Sequence, residues 1–135
     1  MKKVTMLVAA GLMAVSSMAM AESTIHAPNS VVAFAASTSP RGSAVAFYIA
    51  KTEAEARAGA LRDCRNDNEQ NNLGGVCKVE QVFSSGCGYA TITKDDAPVK
   101  DWVLSSSVKR MRALCAENGL DCRTRFAYMC NRYLP

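Results

Sequence analysis

Histidine is almost missing from this 135-residue chain, with His26 the only imidazole. A Ser-His-Asp or Cys-His nucleophile would have to use that one ring, which stands in an N-terminal stretch with few large apolar residues, so base-activated nucleophilic catalysis is a poor reading. No CxxC pair occurs, and with a single histidine neither a zinc site nor a close redox dithiol is indicated. Aromatic residues are 7% of the chain, too few to interleave with charges as a nucleic-acid platform. Glycine offers no phosphate cradle: Gly74-Gly75 lacks a following Lys-Ser or Lys-Thr, and Gly86-Cys87-Gly88 has no helix behind it. No apolar run reaches the ~20 residues of a membrane span.

The longest apolar run, Val4 to Val15, follows Met1-Lys2-Lys3 and precedes Ala19-Met20-Ala21. A positive start, a short apolar stretch and small residues three apart make a secretory signal peptide over residues 1–21. Its removal would take Lys2 and Lys3, half of the formal net charge of +4. The remaining near-neutral chain has no strong field to recruit nucleic acid. Residues 22–30 read as an extended leader and 31–135 as one domain, since ~100–200 residues is the usual domain size. The first cysteine is Cys64, far from the cleavage position, so no lipid is expected on a new N-terminal cysteine.

Six cysteines follow: Cys64, Cys77, Cys87, Cys115, Cys122 and Cys130. An even number in an exported chain reads as three disulfides, formed in the periplasm or outside the cell.

Val31 to Ala36 is a buried strand, Ser37 to Gly42 a turn cluster, and Ser43 to Ala50 a strand with Val45, Phe47 and Ile49 on one face. Together they form a β-hairpin. Thr52-Glu53-Ala54-Glu55 opens a helix as a capping box, with Ala54, Ala58, Leu61 and Cys64 as its buried stripe and Cys64 in its last turn. Arg65 to Gly75 is polar and reads as a loop. Cys77, Val79 and Phe83 share a strand face, Cys87 to Thr93 is another strand, and Asp101 to Leu104 is its partner after the turn at Lys94 to Pro98. Ser105 or Ser106 caps a second helix carrying Val108, Met111 and Cys115 inward and stopping near Asn118-Gly119. Cys122, Thr124, Phe126, Tyr128 and Cys130 share one face of a last strand.

Hairpin, helix with a cysteine, strand with a cysteine: the order occurs twice. The expected fold is therefore one α+β domain with an internal duplication, two helices packed on an antiparallel sheet, and three disulfides. Each helix end and the strand after it are neighbours along the chain, which favours Cys64–Cys77 and Cys115–Cys122 and leaves Cys87–Cys130. Six cysteines allow 15 connectivities, so the pairing is open to test. Trp102 and Tyr48 read as packing residues.

Val31-Val32-Ala33-Phe34-Ala35, the Glu53-Ala54-Glu55-Ala56 helix start, Ala60-Leu61 before Cys64, Cys77-Lys78-Val79, Gly86-Cys87-Gly88-Tyr89-Ala90, and Ala113-Leu114-Cys115 with Cys122 carry a resemblance. The chain resembles the domain of unknown function 4189 family of exported bacterial proteins. It departs from that pattern in the long polar stretch after Cys64 and in its basic second helix. The resemblance implies a duplicated α+β fold and paired cysteines, and implies no activity.

Two sets of residues remain as functional candidates. Lys109, Arg110, Arg112, Arg123, Arg125 and Arg132 face only Glu117 and Asp121 in the C-terminal quarter, a basic patch suited to an acidic protein or another anionic surface. Its plainer reading is a solvated face. Glu80, Asp95, Asp96 and Asp101 are the carboxylates from which a glycoside-cleaving pair would be drawn, although carboxylates are common on any surface. Export, cross-links and the lack of a cofactor motif, metal site or catalytic set favour a non-catalytic protein-binding domain. Within that class we expect an inhibitor or immunity-type protein that neutralises an enzyme or toxin in the periplasm. A secreted effector acting on a host or competitor cell, and a small cell-wall hydrolase, are the alternatives. Oligomeric state is open.

Overall fold

The computed structural model describes residues 30–131. The signal segment, most of the leader with His26, and Arg132 lie outside them. The order is β1 (Val31–Ser39), β2 (Gly42–Ala50), α1 (Glu53–Gln70), β3 (Lys78–Phe83), β4 (Gly86–Ile92), β5 (Trp102–Ser105), α2 (Val108–Glu117) and β6 (Ala127–Asn131). Antiparallel pairing divides these strands into two sheets of three, ordered β2-β1-β3 and β5-β4-β6. Each half thus makes a hairpin, then a helix, then a strand that returns to the free side of the hairpin's first strand.

Side-chain alternation builds four layers. On β1, Val31, Ala33 and Ala35 face α1, while Val32, Phe34 and Ala36 face the second sheet. Small residues on the first set let α1 lie close to the sheet, against Ala44 and Ala46 of β2. The other set packs with Phe47, Ala90, Ile92, Trp102 and Leu104 between the sheets. Gly88 sits where a Cβ would come within 2.9 Å of the Phe47 ring, so the sheets meet there only because no side chain intervenes. Val103, Met111 and Cys115 then join the second sheet to α2 on the far side. The result is helix, sheet, sheet, helix in a single α+β domain.

All three expected cysteine pairs are present. Cys64–Cys77 ties α1 to the start of β3, Cys115–Cys122 ties α2 to the segment before β6, and Cys87–Cys130 joins directly opposed residues of β4 and β6. No cysteine is free.

Several local expectations are corrected. The antiparallel sheet is two sheets. Ser37 to Ser39 extend β1, which leaves only Pro40-Arg41 between the paired strands. The stripe of α1 is Ala56, Gly59, Ala60 and Cys64, whereas Ala54 and Ala58 are exposed. Gly59 sets that phase, because the Tyr48 ring crosses it and would lie 2.2 Å from an added Cβ. The helix also continues past Cys64 to Gln70, held by Asn68, whose amide donates to the Gly75 carbonyl at 2.8 Å and accepts from its N–H at 3.2 Å. Ser37 Oγ donates to the same Asn68 oxygen at 3.2 Å.

Phe83 leaves the face of Cys77 and Val79, since the register against β1 shifts between Phe34 and Ala35 and Glu80 is the extra residue. Val79 and Val82 therefore turn to α1 and Phe83 to the inter-sheet core. Ser107, not Ser105 or Ser106, caps α2 by accepting from Arg110 N at 3.1 Å. Ser30, read as the end of the leader, is buried, and its carbonyl accepts from Asn131 at 2.7 Å. Thr52 caps α1 and Gly119, at φ +65°, ends α2, as expected.

Candidate partner-binding face

α2 has 10 residues against the 18 of α1, so it leaves part of the second sheet's outer face uncovered. At the rim of that part Tyr89 of β4, half-buried against Val103, Met111 and Cys115, meets its exposed cross-strand partner Tyr128 of β6, ring centroids 5.7 Å apart and nearly parallel. Phe126 closes the group, 6.1 Å from Tyr89 and 6.3 Å from Tyr128. Phe126 is 39% and Tyr128 59% exposed, two of the four large apolar side chains most open to water among the described residues. Neighbouring exposed aromatic rings are a common mark of an interaction surface.

Phe126 is held by a segment that forms no regular strand. The expected long last strand is shortened to Ala127–Asn131, and Cys122 makes only an isolated bridge to Thr93. Polar contacts do the rest. Arg123 N donates to the Ile92 carbonyl at 2.9 Å, and Thr91 Oγ1 donates to the carbonyls of Arg125 at 2.8 Å and Arg123 at 3.3 Å. Arg112 reaches across from α2, donating from Nη1 to the Arg123 carbonyl at 2.6 Å and from Nη2 to that of Thr124. The Cys115–Cys122 bridge anchors the other end. The Arg112 guanidinium carbon lies 5.9 Å from the Phe126 ring centre, within cation–π range.

The basic residues singled out from the sequence divide into two groups. Arg110 pairs with Glu117 at 3.1 Å, Arg123 pairs with Asp95, and Arg112 fastens the segment under Phe126. Lys109 and Arg125 are exposed, and their side chains make no ion pair or hydrogen bond among the described residues. Of the basic patch expected from the sequence, Lys109 and Arg125 are thus the two cations left unpaired among the described residues, beside an aromatic group. The aromatic cluster itself was missed, although Phe126 and Tyr128 at alternate positions near Cys130 were its visible half. Tyr89, in the opposing strand, required the register.

The carboxylates fall on both sheets. Glu80 sits at the β3 bulge on the first sheet, Asp95 is paired with Arg123, and Asp101 accepts from Trp102 N at 2.8 Å at the start of β5. Asp96 is exposed in the turn. Glu80 thus stands on the first sheet, apart from Asp95, Asp96 and Asp101 in the β4–β5 connection of the second. Among the described residues, no group of three or more His, Cys, Asp or Glu side chains is placed to hold a metal ion. No helix among them is long and apolar enough to cross a membrane. Three disulfides fit an oxidising compartment. No protein-family model, curated protein or solved structure matches the chain.

Proposed function

We propose that this chain is an exported, non-catalytic protein-binding domain of the inhibitor or immunity type, which occludes an enzyme or toxin in the periplasm. The carrying observation is the Tyr89, Phe126 and Tyr128 group with Arg112, held rigid by backbone bonds and the Cys115–Cys122 bridge. Tyr and Arg are the side chains that most often supply binding energy at protein interfaces, and rigid presentation lowers the entropy lost on association. Lys109 and Arg125 beside them favour an acidic partner surface. Bonded cysteines leave no thiolate for chemistry.

The test pairs capture with phenotype. Oxidised protein is immobilised and exposed to periplasmic extract of the producing cell, in parallel with a Phe126→Ser, Tyr128→Ser double variant. We expect a protein retained by the wild type and lost by the variant, and a growth defect of the deletion strain under toxin challenge. Retention of nothing, together with unaffected growth, would remove the reading.

A further inference from the structure

Between the end of α1 and the start of β3, residues 71–77 form neither helix nor strand, yet neighbouring elements fasten them. Arg41, at the tip of the β1–β2 hairpin, donates from Nη1 to the Asn72 carbonyl at 3.0 Å, and Ser39 Oγ donates to that of Leu73. Gly75 is gripped by the Asn68 side chain, which accepts from its N–H and donates to its C=O. It also lies so close to β1 that an added Cβ would stand 3.1 Å from Ser37 Cβ and 3.3 Å from the Thr38 carbonyl oxygen. Cys77 is buried and bonded to Cys64 of α1. Val76, between these two fixed residues, is 75% exposed, more than any other large apolar side chain among the described residues. Its backbone N–H and C=O have no hydrogen-bond partner among them. An exposed valine alone would mean little. Here the backbone is fixed on both sides of it while its own polar groups stay free, the form in which a peptide segment can enter the cleft of a protease.

We propose that the segment around Val76 is a substrate-like inhibitory loop for an endopeptidase that cleaves after small aliphatic residues. Such an enzyme binds backbone through its N–H and C=O groups and reads the residue before the scissile bond in a side-chain pocket. Val76 offers both. Its short branched side chain suits a small apolar pocket, and Gly75 before it adds no side chain to obstruct entry. Rigidity makes the loop an inhibitor rather than a substrate, because little conformational freedom is lost on binding. Hydrolysis of the Val76–Cys77 peptide bond consumes one water and leaves a Val76 carboxylate and a Cys77 ammonium group. The Cys64–Cys77 bridge holds one new end and Asn68, through Gly75, holds the other. Neither end leaves the cleft, so the reverse condensation, which returns that water, competes with release. This loop takes from the proposed function the premise that an enzyme is occluded and adds the class of that enzyme, on a surface separate from the aromatic face.

The test measures inhibition of two purified probes by the oxidised protein: elastase, whose pocket takes small aliphatic residues, and trypsin, whose pocket takes Lys and Arg. The wild type should inhibit elastase and not trypsin. Val76→Lys should exchange the two, with elastase inhibition weakened about tenfold or more. Val76 is open to water, so this variant should unfold at the wild-type midpoint. Asn68→Ala frees Gly75 and should be cut by elastase faster than the wild type, the two pieces staying joined until reductant is added. The Phe126→Ser, Tyr128→Ser double variant should inhibit elastase as the wild type does. Absence of elastase inhibition, rapid cleavage of the wild type after Val76, or inhibition unchanged in Val76→Lys overturns the proposal and leaves the aromatic face to its own test. Inhibition lost in the double variant but kept in Val76→Lys would overturn it too, by making the aromatic face the inhibitory surface.

Discussion

Gly59 shows most plainly how much a single methyl group matters in this molecule. An alanine there would set its Cβ 2.4 Å from Tyr48 Cγ, at the root of a ring that also carries the Arg62 guanidinium 5.0 Å from its centre. The ring cannot swing aside without losing that partner. Gly59→Ala should therefore destabilise the fold by about 1–3 kcal/mol through overpacking, although alanine is the better helix former by about 1 kcal/mol. A urea midpoint that stays level or rises would contradict the packing of α1 on Tyr48. Asp63 gives a pH signature. Burial pushes its carboxyl above the usual carboxylate range, against the opposing pull of Arg62 at 3.1 Å. The folded state then binds this proton more tightly than the unfolded chain, so the group disfavours folding at neutral pH and the penalty fades on acidification. Replacing it by Asn should raise stability at neutral pH, with the gain shrinking as pH falls through the carboxylate range. Tyr128, by contrast, is open to water. Tyr128→Ala should leave the unfolding midpoint within about 0.5 kcal/mol of wild type and weaken partner binding by about 2 kcal/mol or more.

At the level of elements, the sequence announces starts better than ends. Thr52 and the apolar alternation of β1 and β2 are local signals: α1 and β1 start where they predict, and β2 one residue earlier. The far end of α1 is not local. Residues Arg65 to Gln70 carry no apolar period, and they remain helical because Asn68 reaches to Gly75 and Ser37. Asn68→Ala should speed amide exchange in these last turns and cost about 1–3 kcal/mol; unchanged exchange would show that the turns hold without it. The bulge at Glu80 is equally silent in the sequence, being a matter of register between distant strands. It inverts the faces of Val82 and Phe83, turning the first to α1 and the second to the inter-sheet core. Half of the aromatic face was readable for the same reason. Phe126 and Tyr128 alternate along one segment, whereas Tyr89 enters only through the pairing of β4 with β6.

For the whole molecule, the duplicated order and the cysteine pairs followed from chain neighbourhood, while the division into two sheets packed face to face did not. Nothing in the alternation of Val32, Phe34 and Ala36 says whether a helix or a second sheet will cover them. Only Gly88, with no side chain to hold the sheets apart, hints at the close approach. The bridges close loops of different size, 43, 13 and 7 residues apart for Cys87–Cys130, Cys64–Cys77 and Cys115–Cys122, which corresponds to about 4, 3 and 2.5 kcal/mol of unfolded-state constraint. Paired Cys→Ser variants should lose stability in that order, while loss of Cys115–Cys122 should weaken binding at the aromatic face most, because it anchors the segment beneath Phe126. Binding by a rigid surface rather than by thiol chemistry requires that every sulfur be bonded. Thiol labelling of the unreduced protein in denaturant reads this directly. The expected result is no labelled cysteine until reductant is added, and then all six; labelled sulfur before reduction would contradict both the cross-linked fold and the proposed non-catalytic role.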